Sequence, residues 1–479
     1  MSPPLSAGDH LLLVGGGPVP QDSQVSIESN VIWIDRILRE RGFDSKEVMF
    51  AGGDNGAPDV VLHAPERAEV QRWLPLARIH GEPHAGVASF RRNQLAGIAR
   101  KADADAVDEA LRQALGGLGP DDSLWFVFNG HGAWGAPNAT HNALRLWGET
   151  ALDVKTYADR LAQTPAGATV RHFLPQCFSG GFVRALFKDP AQPRADAVRP
   201  GQCGFFAVPE NLESEGCTPG VDVGEYRDYS NFFFAALDGR TRLGGALARD
   251  PDVNGDGRVS LSEAHGYAYT EGFSTDMPFA TSEYFLELWQ PWYVRWQSAL
   301  KPAADDPYLR RAWRLAEVLG MRATSATALA RAALASRRAL EQAAAEQLRL
   351  IEQIAEHEHT VRTELLAAFL LAWPAAAQPY SHAYVALLES EAEPMLAWIR
   401  ALAEYPVLEA LQIELEQAHL QLLDGQRRIT AFARVHRMLK LATLRTHFER
   451  TASAEARATL AALEACENWV PPAPTAPPR

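Results

Sequence analysis

Cysteine is scarce in this chain of 479 residues: there are four, Cys177, Cys203, Cys217 and Cys466. Four are too few for a disulfide scaffold, and no two form a CxxC pair. Free thiols are the default expectation, although Cys203 and Cys217 could bridge in an oxidising compartment. An excess of basic charge is also missing. The net charge of −13 argues against a nucleic-acid-binding surface. No Lys or Arg precedes Arg36, so the basic start of a secretory signal is absent. The longest apolar stretch, Leu365 to Ala377, is broken by Pro374 and is too short for a bilayer. The expectation is a soluble cytoplasmic protein with no membrane and no nucleic-acid partner.

What is present is an ordinary globular balance, 47% hydrophobic and 22% charged, in a chain long enough for two or three domains. Residues 1–10 read as a loose tail. From residue 11, short apolar runs alternate with helical patterns. Strands are predicted over Leu11–Val14, Glu47–Phe50, Leu124–Phe128, Thr169–Leu174 and Gly204–Val208. Helices are predicted over Asn30–Arg41, Asn93–Gly116, Val154–Gln163 and Ser230–Leu237. Strand–helix alternation predicts an α/β fold with a mostly parallel sheet flanked by helices. Gly15-Gly-Gly17 is not GxGxxG and reads as a tight turn. Residues 51–92 are Gly/Pro-rich. Their His63, His80 and His84 match no metal spacing and are expected as solvated loop residues.

Two strand endings carry the chemistry. Leu124–Phe128 runs into Asn129-Gly-His131-Gly132, and Thr169–Leu174 runs into Pro175-Gln-Cys177-Phe-Ser-Gly-Gly181. Consecutive parallel strands would bring both endings to one sheet edge, where ligands of such sheets bind. A thiol needs a base to act as a nucleophile at neutral pH, and imidazole is the usual one. His131 and Cys177 are therefore the candidate catalytic dyad. The alternative is a buried cysteine beside an incidental loop histidine.

Residues 188–201 are Pro-rich, polar and aperiodic, and are expected as an exposed loop. Asp252-Val-Asn254-Gly-Asp256-Gly257-Arg258-Val-Ser260-Leu-Ser-Glu263 matches an EF-hand loop. Asp252, Asn254, Asp256, Arg258, Ser260 and Glu263 are the candidate Ca²⁺ ligands, and the alternative is an Asp/Gly turn capping the next helix. From 301 to 466, Ala, Leu, Glu, Arg and Gln dominate and helical patterns are long, which predicts a helical bundle domain. Glu356-His-Glu-His359 reads as a charged helix face. Residues 467–479 read as a Pro-rich, disordered tail.

The strand–His-Gly and strand–Cys-x-Ser-Gly order resembles the caspase-like cysteine peptidases, and the legumain-like branch most, over roughly residues 9–295. Phe205 to Cys217 is similar to the strand and specificity loop after the nucleophile. Tyr226-Arg-Asp228-Tyr-Ser230 is similar to the segment carrying a pocket-base aspartate. The resemblance implies a caspase-like sandwich over residues 11–300 and a cysteine endopeptidase acting on protein substrates. Cys177 would be the nucleophile and His131 the base. The Gly132 and Cys177 amides would stabilise the oxyanion. Asp228, Glu213 and Ser214 would line the first specificity pocket. An acidic pocket floor implies cleavage after Arg or Lys, with Asn as the legumain-like option. Arg194 and Arg199, in the loop where caspases are cut during maturation, would be processing sites for this enzyme or an upstream protease. Legumains orient their histidine with an asparagine; Gln24, Ser26 and Asn30 lie in that vicinity without a matching motif. The helical region would inhibit the enzyme, dock a regulatory protein or present a substrate. A transpeptidase on the same dyad and an inactive Ca²⁺-binding scaffold stand as alternative readings.

Overall fold

The computed structural model describes residues 8–43, 46–64, 67–81, 88–296, 303–378 and 381–473; His84 and Pro302 lie outside them. The strands are β1 (Asp9–Gly16), β2 (Lys46–Phe50), β3 (Val60–His63), β4 (Ala88–Arg91), β5 (Ser123–Ala133), β6 (Ala143–Leu146), β7 (Thr150–Asp153), β8 (Thr169–Leu174), β9 (Gln202–Phe206) and β10 (Phe279–Ala280). The helices are α1 (Val25–Glu40), α2 (Ala68–His80), α3 (Ala104–Gly116), α4 (Val154–Leu161), α5 (Gly180–Val183), α6 (Tyr229–Asp238), α7 (Leu261–Glu271), α8 (Thr281–Trp289), α9 (Pro307–Val318), α10 (Ala326–Ala372), α11 (His382–Ala401), α12 (Tyr405–Thr451) and α13 (Ala454–Glu467).

The main sheet runs β10-β9-β8-β5-β1-β2. Its four inner pairings are parallel, the β9–β10 edge is antiparallel, and β6 and β7 extend the far end of β5 as an antiparallel ribbon. The central strands are near-continuous apolar runs because both faces are covered. Alternate residues serve opposite layers. Leu12, Val14, Phe126, Phe128 and Val170 join Val107 and Leu111 of α3 and Tyr157 of α4 in one core. Phe173 on the other face meets Phe233 and Phe234 of α6, with ring centroids 4.5 and 5.0 Å apart. The expected α/β class with a mostly parallel sheet and a helical C-terminal region is what the structure shows.

Several local expectations change. The helix expected over Asn93–Gly116 begins only at Ala104, where the Asp103 side chain accepts the Ala106 N–H. Residues 99–102 instead lie along β2: Ala99 N–H donates to the Val48 carbonyl and Ala102 N–H to that of Ala51. An open sheet edge offers these unpaired groups, and tertiary pairing overrides the helical pattern. Residues 51–92, expected as loop, contain β3, α2 and β4. His63 ends β3, and His80 ends α2 with its ring against Phe369.

The chain divides into two compact units, the first formed by 1–61, 90–336 and 430–479 and the second by 62–89 and 337–429. The compositional boundary at 300/301 is therefore not where the structure divides. In the second unit, α10, α11 and α12 pack through Leu365, Phe369, Met395, Leu396, Ile399 and Leu408. In the first unit, Glu283 explains why the late helices return to the sheet. Its buried carboxylate lies 3.1 Å from Arg311 of α9 and 2.6 Å from Arg437 of α12. Burial alone would raise its pKa, but Arg437, His265 and Arg311 hold it far below the usual carboxylate range.

The cysteines correct the expectation of free thiols. Cys203 of β9 and Cys466 of α13 form a disulfide, with Cα atoms 6.1 Å apart across 263 positions, and Cys177 and Cys217 are free. Cys203 cannot then bridge to Cys217. Such a bond persists in oxidising compartments, which bears against the cytoplasmic expectation. No helix among the described residues is long and apolar enough to cross a membrane. Residues 467–473, expected as disordered tail, are fastened down. Ser282 N–H donates to Glu467 Oε1 at 2.8 Å, Leu261 N–H to the Trp469 carbonyl, and Arg41 to the Pro472 carbonyl.

Candidate active site

β5 and β8 pair in parallel up to Val127 and Phe173. His131 and Cys177 each lie four residues past that rung, so the same offset carries both to one edge. Beyond the rung the two backbones stay in contact. A Cβ on Gly132 would overlap the Cys177 carbonyl oxygen, so only glycine allows this approach. The expected dyad and its two candidate oxyanion residues are thus brought together.

His131 Nε2 lies 2.8 Å from both the Asp22 carbonyl and Gln24 Oε1. Both partners are acceptors, so Nε2 carries the proton and Nδ1 holds the free lone pair. Gln24 is the orienting side chain that sequence could only place nearby. Burial lowers the His131 pKa, and the Asp22 carbonyl opposes this in part. The Cys177 sulfur accepts the Ser214 N–H at 3.3 Å and lies 3.9 Å from Ser214 Oγ. Burial pushes the Cys177 thiol up; the Ser214 donors pull it back, and the charges of Glu213 and Asp276 add to the rise. The resting pair is therefore thiol and neutral imidazole. No hydrogen bond joins the two among those of the described residues.

The turn that presents Cys177 is strained and then fastened. Phe178 has φ +59°, unusual for a bulky residue. Its N–H donates to the Leu212 carbonyl at 2.8 Å, and its carbonyl accepts Asn142 Nδ2 at 3.1 Å. Asn142 is fully buried. It also donates to the Glu210 carbonyl at 2.7 Å and accepts the Gly135 N–H at 2.9 Å. One side chain thus ties the histidine loop, the nucleophile turn and the segment after β9. Ser179 Oγ accepts the N–H groups of Ala207 and Val208, which follow β9. The small residues after Cys177 serve this packing: a Cβ on Gly180 would meet the backbone of 208–210.

Asp228 caps α6 and is buried. Its Oδ2 accepts Asn30 Nδ2 at 3.1 Å and the Asn231 N–H at 3.2 Å, while Oδ1 is buried with no partner. Burial raises its pKa and Arg242 draws it down. Arg242 reaches Asp228 only through Asn30, which it contacts directly. Gly216 lies against Asp228, where a Cβ would overlap the Asp228 side chain. Ser214 Oγ donates to the Pro175 carbonyl at 2.9 Å, and Glu213 is exposed.

Asp276, absent from the sequence candidates, ties the segment after Ser214 to the start of α6. Its Oδ1 accepts the Glu215 N–H at 2.8 Å and its Oδ2 the Tyr229 N–H at 3.0 Å. Burial pushes its carboxyl up to about 8, against the pull of the Glu215 N–H and Arg434. Arg434 of α12, fully buried, in turn holds the Asp276 segment. It donates to the carbonyls of Tyr269 at 3.2 Å, Ser274 at 3.4 Å and Asp276 at 2.9 and 2.6 Å. Asn142, Asp276 and Arg434 reach partners up to 165 positions away in the chain, and no local pattern marks them.

The candidate processing arginines differ. Arg194 is exposed and paired with Asp196 at 2.7 Å. Arg199 is half-buried and donates to the carbonyls of Ala185 at 3.2 Å and Phe187 at 3.1 Å. The loop around them is largely exposed and carries one bridge between Phe187 and Val198.

In the EF-like loop, Asp252 accepts the N–H groups of Gly255 at 2.7 Å and Gly257 at 2.8 Å. Glu263 accepts those of Val253 at 3.1 Å and Ser260 at 3.0 Å, and Ser260 Oγ accepts the Glu263 N–H in a capping box. The helix-capping alternative is thus realised. The donors of Asp252, Asn254, Asp256, Ser260, Glu263 and the Arg258 carbonyl are all oxygen, as a hard cation requires. Among the described residues, no three His, Cys, Asp or Glu side chains are grouped as metal ligands.

No protein-family model matches this chain. No curated protein matches it either. Among solved structures, it is similar to protein GSU0716 from Geobacter sulfurreducens, at 13% identity and a TM-score of 0.35, over 57% of this chain and 92% of that one.

Proposed function

We propose that the first unit is a cysteine endopeptidase of caspase-like fold, using Cys177 as nucleophile and His131 as base. The observation that carries this reading is the dyad's placement: both residues lie four positions past one sheet rung, with the His131 proton held on Nε2 by Asp22 and Gln24. A peptide carbonyl entering beside Cys177 would be attacked by Sγ as Nδ1 of His131 takes the thiol proton. The Gly132 and Cys177 amides would receive the oxyanion. The amine would leave with the proton from His131, and water would release the acyl group.

Asp228 supports a basic residue before the scissile bond. Its Oδ1 is a buried acceptor without a donor, and a Lys or Arg head would satisfy it. A second reading, cleavage after Asn, is favoured by Arg242, whose charge offsets Asp228 through Asn30. The basic reading ranks first because Arg242 leaves Oδ1 unpaired. Arg194 is the better candidate for processing by this enzyme or an upstream protease, since its side chain is exposed. Ca²⁺ on Asp252, Asn254, Asp256, Ser260 and Glu263 would supply fixed positive charge at the start of α7. The helical region bears on the site through Arg434, and its second unit is a candidate surface for a regulatory protein.

The test is a fluorogenic assay with peptides ending in Arg, Lys, Asn or Asp, on wild type and Cys177→Ala, with Ca²⁺ present or chelated. Cys177-dependent turnover after Arg or Lys is expected. Turnover after Asp with none after Arg or Lys would overturn the acidic pocket. Silence both before and after limited proteolysis would overturn the peptidase.

A further inference from the structure

We propose that Trp134 and Phe178 form a second substrate subsite beside Cys177, shaped for an aromatic or large aliphatic side chain flanking the scissile bond. The inference rests on the dyad reading above. Phe178 directly follows Cys177, and Trp134 lies three positions past His131. Their rings stack with centroids 6.4 Å apart and planes 17° from parallel. Trp134 is 61% exposed, and Phe178 is half-buried.

A single exposed apolar residue is ordinary on any protein surface. This pair differs in three ways. First, its two rings come from the two backbone segments that carry the base and the nucleophile. Second, Asn142 locks those segments together from beneath, through the Gly135 N–H and the Phe178 carbonyl. Third, the left-handed backbone at position 178 is one that glycine would adopt at no cost. A phenylalanine there holds a strained backbone that the Leu212 and Asn142 hydrogen bonds fasten, and its ring stacks on Trp134. The result is an aromatic face already assembled in the free chain.

Aromatic faces favour offset stacking and edge contacts with other rings, and pack well against Leu, Ile or Met. The shelf is chemically distinct from the Asp228 site, where Asn30 donates to both Asn129 and the Asp228 carboxylate. Recognition is then bipartite. Asp228 reads one residue by charge, and the shelf reads a neighbour by apolar surface.

The test uses internally quenched peptides with Arg fixed for the Asp228 pocket and Phe, Leu, Ala or Asp at each neighbouring position. At one position, wild type should favour Phe over Ala by about tenfold in kcat/KM. Trp134→Ala should collapse that ratio toward one, mainly through KM, with its melting temperature confirming the fold. The same peptides are titrated onto the Cys177→Ala chain, with and without Trp134→Ala, by fluorescence anisotropy. An unchanged Phe/Ala ratio in Trp134→Ala overturns the shelf while leaving a Cys177-dependent peptidase standing. A Trp134-dependent binding preference without Cys177-dependent turnover supports the shelf and overturns the peptidase. Absence of any preference in both assays overturns the shelf.

Discussion

The Cys177 turn and the loop at 252–263 are the two motifs that a reader of this sequence would single out, and they are held in opposite ways. The loop is built from its own residues. Asp252 and Glu263 bind amides within twelve positions of themselves, and Gly257 has open space around it. The Cys177 turn borrows nearly everything. Its fastening groups are Asn142, Leu212 and Ser214, and the matching base is oriented by Asp22 and Gln24. A motif can therefore be equally legible in sequence and differ completely in whether it survives a change elsewhere in the chain.

The sharpest way to break this comparison is one substitution in each region. Gly132→Ala places a methyl into the Cys177 carbonyl and must part the two strand ends. Its kcat/KM should fall by at least about a thousandfold, because ångström shifts at a reacting centre cost that order. Gly257→Ala meets no neighbouring atom and bears only its φ of +78°. It should lower stability by about 1 kcal/mol and leave turnover within a few-fold of wild type. Equal losses in peptide turnover from the two would contradict the contrast.

A smaller effect is expected from pH. Turnover requires neutral His131, whose folded pKa is below the ordinary value of 6.5 because the ring is buried. Activity should be lost as pH falls, with a midpoint in kcat/KM below 6.5. The Cys177 thiol is raised, so no thiolate–imidazolium pair forms at rest and the profile should stay flat through neutral pH. A midpoint above 6.5 would mean that His131 is not the group being read.

The smallest effect belongs to the loop. Ca²⁺ should raise the melting temperature of the wild-type chain by a few degrees, and Glu263→Gln should remove that shift. The alternative is that Glu263 only caps α7. Calorimetry would then show no dependence on Ca²⁺ in either protein, and the loop would be a turn rather than a cation site.

Much of the architecture could be read directly. The apolar runs at Leu11–Val14 and Leu124–Phe128 and the β-prone run at Thr169–Leu174 are strands whose residues are almost all buried. Local periodicity misled at 93–103, where the edge of β2 recruits the chain into pairing. It also missed α2, set among Gly and Pro residues. Over 467–473 proline content misleads, because it is that of a disordered segment. The aromatic surface of Trp125 and Phe43, against which Trp469 packs, decides otherwise.

By itself, the sequence determines the identity of the candidate nucleophile and base, the strands that carry them, and the helix-capping chemistry of 252–263. These depend on residues within a few positions of one another, where hydrogen bonding and side-chain alternation act locally. Tertiary structure alone decides the disulfide partner of Cys203, the proton position on His131, the unpaired oxygen of Asp228 and the roles of Asn142, Asp276 and Arg434. Each of these is set by groups remote in the chain that meet only when the sheet brings its edges together. A contact of that kind leaves no periodicity to read.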